Sequence, residues 1–338
     1  MSSGDESIGF TSPENFPYSH LSQYNFFVGE IKALEPAVGV VPYQVISPLW
    51  ADHAGKARFI VLPANGTIDT SDLDGWRYPD GTIIIKNFFI TPDLTEPDIW
   101  SPIETRLLIM EMGEWKNHTY VWNADRTDAT RHLPGAKIPY TQTDESGQTT
   151  EQEYVVPNTN QCKDCHELNH IGQPLGLGKR QLDREVTRNG EPVRQVDWLN
   201  ELGIFSPPLN LGNTHSLVDP FGDAPLTARA RSYLDANCAH CHRDGGNGGP
   251  SGLVLLANEE NPTTFGVCKG PVAAGAGTGG LYHDIFPGDP EQSIMIFRMR
   301  STDPEVKMPE IPNRIPHQAG IDLISEWIRQ LPYPGCDE

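Results

Sequence analysis

The chain is short of basic residues: 25 Lys and Arg stand against 45 Asp and Glu, leaving a formal charge of −20 over 338 residues. Nucleic acid binding rests on clustered Lys and Arg that neutralise phosphates, so no nucleic-acid partner is expected. A protein partner with a basic docking surface suits this charge. Long apolar runs are missing too. None approaches the roughly 20 residues that a spanning helix needs, so no membrane span is expected. There is no Gly-rich phosphate loop and no tandem repeat. The first residues, "MSSGDESIGFTSPENFPYSH", lack the basic-then-apolar layout of an export signal. Either the chain is cytoplasmic, or it is an exported chain whose signal is gone. Cysteine is scarce as well, with six in the chain.

What is present begins with turn formers, 32 Gly and 30 Pro, which exclude a plain helical bundle. Between about 40 and 155, β-formers come in short runs: "ARFIVLPAN", "GTIIIKNFFI", "ETRLLIMEM", "HTYVWN" and "EQEYVVP". Turn residues such as "PDG" and "DESG" separate them, the pattern of an antiparallel sandwich or small barrel. After Pro157 the pattern changes. "EPVRQVDWLNELGIF" spaces Val193, Val196, Leu199 and Leu202 three apart, predicting a short helix. "LTARARSYLDANCAHCH" predicts a helix that opens at Thr227 and runs into two cysteines. "GDPEQSIMIFRMR" predicts a helix with Asp289 as N-cap, Pro290 at the first position and Gln292 closing a capping box. "HQAGIDLISEWIRQLP" places Ile321, Ile324, Trp327, Ile328 and Leu331 on one face, with Pro332 as the stop. The expected fold is α+β and multi-domain: a β-rich, sandwich-like N-terminal half, then a mainly helical, loop-rich half. The expected divisions are a polar N-terminal segment (1–39), a β-rich domain (40–155), a segment around the first cysteine pair (156–222) and a helical domain around the second (223–338).

The haem expectation comes from four of the six cysteines. "CKDCH" holds Cys162, Cys165 and His166; "CAHCH" holds Cys238, Cys241 and His242. At the chain's own usage of Cys and His, two such matches are far beyond chance. Two thiols three residues apart can each add to a vinyl group of one porphyrin, and the next histidine then faces the iron. A zinc site of two knuckles is disfavoured, because 72 residues separate Cys165 from Cys238 and zinc does not explain a histidine after both pairs. A thioredoxin-like dithiol would want one motif in a βαβ setting. Two covalently bound haem c groups are therefore expected, with Cys162, Cys165, Cys238 and Cys241 as attachment points and His166 and His242 as iron ligands. For the second haem, Met308 follows His242 by 66 residues, in the Pro-rich "DPEVKMPEIP". It is the expected distal ligand there, whereas Met295 and Met299 suit a packed helix. For the first haem the candidates stay open among His170, His215, Met110, Met112, His118, His132 and an empty sixth position. His240 is expected near the haem edge with no ligand role. Cys268 and Cys336 are left over and are expected to pair, since covalent haem attachment in bacteria occurs outside the cytoplasm. The expected location is periplasmic or extracellular.

The order "LTARARSYLDANCAHCHRDGG", "GTGGLYHDIFPGDPEQSIMIFRMRSTDPEVKMPEI" and a terminal "LISEWI" resembles a bacterial cytochrome c domain. With "NQCKDCHE", "PLGLGKRQLDRE" and the β-region holding "ETRLLI" and "TYVWN", residues 40–335 are similar to a family of secreted dihaem c-type cytochromes. The resemblance implies haem attachment at both Cys pairs, proximal His166 and His242, and a distal Met308. The first haem departs from the pattern, having no methionine between Cys165 and Cys238. The expected function is single-electron transfer between redox partners, more than enzymatic turnover. The rivals are an enzyme of dihaem peroxidase type, open at the first haem, and an electron-transfer subunit of a dehydrogenase or filament.

Overall fold

A computed structural model describes residues 16–72, 75–212, 216–272, 274–310, 313–332 and 335–336. The chain divides into two compact units, each assembled from separated stretches. One gathers Met1–Val45, His53–Cys162 and Leu177–Thr214; the other gathers Ile46–Asp52, Lys163–Gly176 and His215–Glu338. The expected first haem-binding segment, 156–222, is thus shared between the two units.

Strands β1 (Val41–Tyr43), β2 (Gly55–Val61), β3 (Ile68–Asp69), β4 (Ile83–Ile90), β5 (Ser101–Glu111) and β6 (Glu114–Trp122) come first. They are followed by β7 (Ala129–Arg131), β8 (Ala136–Thr143), β9 (Thr149–Val156) and helix α1 (Thr159–His166). Next come β10 (Glu167–Leu168), β11 (Ile171–Gly172), β12 (Glu185–Arg188), β13 (Glu191–Arg194), α2 (Gln195–Glu201) and β14 (Phe205–Ser206). Helices α3 (Leu226–Asn237), α4 (Ile294–Arg300) and α5 (Gln318–Gln330) complete the order.

In the first unit β1-β2-β4-β5-β6-β7 form one six-stranded antiparallel sheet. Each of the five expected β-runs contains a strand, four in this sheet and the fifth in the β8–β9 ribbon. The packing differs from a sandwich. One face, with Phe59, Val61, Ile83, Ile85, Leu107, Ile109 and Tyr120, is covered by Leu21, Tyr24, Phe26 and Phe27. The other face, with Ile60, Ile84 and Leu108, is covered by Val196 and Leu199 of α2 and by Phe205, Leu209 and Leu211. A non-sheet segment and a helix therefore take the places of a second sheet. Coverage on both sides also explains why β4 is buried along nearly its whole length, Lys86 and Asn87 included, where a half-exposed strand would alternate. The segment taken as a polar tail is, from residue 16 onward, part of this core.

Two helix expectations change. The 191–205 helix is shortened to α2, because Glu191–Arg194 pairs with Glu185–Arg188 as a hairpin, placing Val193 in a strand. Asp289 does cap a turn, accepting from Glu291 N, but Ser293 is extended (φ −102°, ψ 121°) and α4 starts after it. In the second unit α3, α4 and α5 surround Tyr233, Leu234, Phe265, Ile324 and Trp327. Gly320 of α5 lies so close to Tyr233 that a Cβ would sit 2.2 Å from its hydroxyl. Cys268 and Cys336 lie at disulfide distance, tying the end of the chain to the loop before α4. Among the described residues, no helix is long and apolar enough to cross a membrane.

Candidate functional site

The second cysteine motif begins where α3 ends. Cys238 is the C-cap of α3, its N–H still donating to Leu234 O, and one further turn follows. Cys241 N and His242 N both donate to Cys238 O, at 3.1 and 2.9 Å, so the two thiols and the imidazole are fixed by one tight backbone turn. The imidazole orientation is then set by a short relay. Ser251 Oγ donates its proton to Gly248 O (2.6 Å) and therefore accepts from His242 Nδ1, 3.1 Å away. This fixes the proton on Nδ1 and leaves the lone pair on Nε2, the arrangement a metal-ligating histidine needs. Burial, reinforced by His240, Arg298 and Lys269, pushes His242 down to about 4, so the ring is neutral at pH 7. Gly248 is needed for closeness: a Cβ there would lie 2.9 Å from His242 Nδ1.

These groups line a cavity of about 510 Å³ within the second unit, a size suited to a small organic ligand or cofactor. Its apolar wall includes Leu253, Leu255, Ile294 and Ile321. Met308 lines the same cavity, held in its loop by its N–H to Arg298 O (3.0 Å), while Arg298 Nε donates to Val306 O (2.8 Å). Met295 and Met299 also reach the wall, but from α4 and packed against the helical core. Arg298, Lys307 and Arg314 bring positive charge to the wall; burial lowers both Arg298 and Lys307. Asp284 adds a carboxyl that burial raises, 3.1 Å from Lys269.

Part of the wall had no signal in the sequence. Trp50 stacks on His317 with ring centroids 4.0 Å apart and donates from Nε1 to Ile315 O. Its backbone N–H reaches Asn237 Oδ1 at 2.7 Å, at the last residue of α3. The buried Asp52 carboxylate accepts from Arg314 N and Ile315 N, each at 2.9 Å. The short stretch 46–52 thus clamps the loop that leads into α5. No local pattern could reveal this, because its partners lie far along the chain.

The first motif lies on α1, where Cys162, Cys165 and His166 fall at i, i+3 and i+4 and so share a face. Asn158 caps this helix: its Oδ1 accepts from Asn160 N and Gln161 N, and Gln161 Oε1 accepts from Asn158 N. That reciprocal pair is a capping box, legible in "NTNQ" but missed in the sequence reading. His166 is buried, and its Nδ1 lies 3.0 Å from Gln173 O. A carbonyl only accepts, so Nδ1 again carries the proton and Nε2 the lone pair. Both motif histidines therefore have the same tautomer by different means. The division between the units falls within α1, after Cys162.

Cys165 joins Cys238, Cys241, His242 and Met308 on the cavity wall. The donor atoms of Cys165, His240 and Cys241 all lie within 4.8 Å of one another, so His240, expected near the haem edge, lies on the cavity wall beside two thiols. Burial pushes the Cys238 thiol up to about 12, while a hydrogen bond with Cys165, then burial, raises Cys241. The candidates for the position opposite His166 are spread out. His170 is exposed on the β10–β11 turn at φ 62°, and Met112 is 87% exposed on the β5–β6 turn. His132 Nε2 bonds Gly135 O at 2.9 Å, whereas Met110 is buried in β5. His118 lies in β6 with neither ring nitrogen hydrogen-bonded. His215 falls outside the described residues. Compared with protein-family descriptions, curated proteins and solved structures, the chain matches none.

Proposed function

We propose that this protein is an extracytoplasmic dihaem c-type cytochrome that carries single electrons between redox partners. The observation that carries the reading is one cavity in which Cys238, Cys241, a neutral His242 with its lone pair on Nε2, and Met308 all meet. The residues fit a haem c. The cavity is large enough and mostly apolar, the imidazole is oriented from behind by Ser251, and cations are at hand for two propionate carboxylates.

Cys238 and Cys241 would hold the porphyrin, each thiol adding across a vinyl double bond with its proton passing to the neighbouring carbon. His242 would offer Nε2 to the iron, with Ser251 holding the ring against rotation. Met308 would offer its thioether to the same iron. Arg298, Lys307 and Arg314 would receive the carboxylates through charge-assisted hydrogen bonds. A haem bound in this way supplies a one-electron iron couple whose potential is raised by methionine ligation. Cys162, Cys165 and His166 hold the second group by the same chemistry.

The Cys268–Cys336 pair supports a location outside the cytoplasm, where thiols oxidise. The charge of −20 favours electron partners with basic docking surfaces. The likeness to secreted dihaem c-type cytochromes belongs to the same reading. A pyridine haemochrome assay on the matured chain is expected to give two c-type haems per chain; none would sink the proposal. A high-spin ferric fraction with peroxide turnover would replace it with an enzyme of dihaem peroxidase type.

A further inference from the structure

The two motifs are far apart in sequence, yet the second unit binds the end of one to the loop of the other. Asn247 Nδ2 donates to Asp164 O at 3.2 Å and to Asp164 Oδ1 at 3.3 Å. Asn169 N donates to Gly245 O at 2.9 Å. The Cys241 thiol itself donates to Asp164 O at 3.4 Å. The sulfurs of Cys165 and Cys241 are consequently within 4.8 Å of each other, with a His240 ring nitrogen equally near.

Cys165 and Cys241 hold equivalent places in their motifs, each the second cysteine and each directly before the iron-ligating histidine. In a thioether-linked haem the sulfur is only two bonds from the macrocycle. Two such sulfurs within 4.8 Å of each other would hold the attachment edges of the two groups side by side. We infer that Cys165 and Cys241 form a shared seam between the two haem sites, so that the centres behave as one electronically coupled pair, with Asp164 and Asn247 as the positioning residues. This rests on the reading of both motifs as haem attachment sites. With both haems in place, a single electron would pass across the seam, one centre being oxidised as the other is reduced, with no bond made or broken. The seam also explains why the loop after His242 is anchored to residues 164 and 169, when its own turn already fixes Cys241 and His242.

The test uses the full haem-loaded chain. Pyridine haemochrome first establishes two haems, which is the condition of the underlying reading. Circular dichroism in the Soret region is then expected to show a couplet of opposite signs, as two adjacent macrocycles produce, and the ferric electron paramagnetic resonance lines should show mutual broadening. Asn247→Leu removes both side-chain bonds to Asp164. It is expected to lose most of the couplet amplitude while the haem count and the absorption maxima stay unchanged. Two haems with a single-signed band and unbroadened lines in the unmodified chain would overturn the seam and leave the dihaem reading standing. A haem-free chain purified with one zinc ion on Cys165, His240 and Cys241 would overturn both.

Discussion

The two units solve the problem of a stable interior in different ways. The sheet unit is closed by main-chain pairing, with six strands in register and apolar layers on both faces. Its buried Glu104 carboxylate is matched within the protein. Arg106 bonds Glu104 through Nε and Nη2, at 2.6 and 2.9 Å, and Tyr154 donates to the same carboxylate at 2.8 Å. Burial alone would lower Arg106, but the charge and hydrogen bonds of Glu104 outweigh it and hold the guanidinium above its ordinary value. The helical unit is different: three helices and long loops enclose a cavity whose wall includes leucine, isoleucine and methionine. One unit packs apolar layers on both faces of a sheet, and the other packs its helices beside a cavity that the proposed haem would fill.

On the proposed dihaem reading, the largest effect should come from removing a residue that would hold the haem of the second unit. His242→Ala is expected to lower the haem count from two to one and to lose the cooperative thermal transition of the helical unit. The β signal in far-ultraviolet circular dichroism should persist; its simultaneous loss would break the contrast between the units. Next comes Glu104→Ala, which strands buried Arg106 beside Lys86 and Arg58, its cross-strand neighbours along β2, β4 and β5. Like charges face to face in a sheet repel, and breaking a buried ion pair costs about 3–5 kcal/mol. Urea denaturation should show that loss in the β transition with the haem spectrum unchanged.

Cys336→Ser should cost about 2–4 kcal/mol, and this time in the helical unit, because the Cys268–Cys336 link closes a long loop there. Equal denaturation midpoints for the variant and the unmodified chain would remove the disulfide from the comparison. The smallest effect is a pH dependence in the sheet unit. Burial, with Arg131 adding to it, pushes His118 down to about 4 from 6.5. Between those values the unfolded chain takes up a proton that the folded chain refuses, so stability is full above pH 6.5 and falls as pH drops to 4. The loss accumulates at up to about 1.4 kcal/mol per pH unit across that window. His118→Phe should flatten the pH profile of the β transition; an unchanged slope would assign the loss to another group.

Strands were legible wherever a run of β-formers was bounded by turns, as at "GTIIIKNFFI" for β4. Helices α3 and α5 followed from their spacing and stops. The failures share a cause. The 191–194 stretch has helical spacing, yet an antiparallel partner at 185–188 captures its backbone, and pairing across a turn outweighs an amphipathic pattern of a few residues. Leu21, Tyr24, Phe26 and Phe27 lack any period, so nothing marked them as the cover of a sheet face. At the site, the sequence named both Cys–His motifs and Met308 from their local chemistry. Of these, Cys165, Cys238, Cys241, His242 and Met308 share one cavity wall, while Cys162 and His166 do not line it. Trp50, Asp52 and Asn247 were not named, since a tryptophan or an asparagine in a loop has no signature until its partner is known.

By itself, then, the sequence determined that two thiols and an imidazole are neighbours in each motif, because five consecutive residues are held together by the covalent chain alone. Only the tertiary structure decided what else meets them. It put Met308 on the wall with His242, set both imidazoles to the same tautomer through Ser251 and Gln173, and brought Cys165 to Cys241 across 76 positions. Those meetings are decided by packing and by hydrogen bonds between distant segments, which no local spacing encodes.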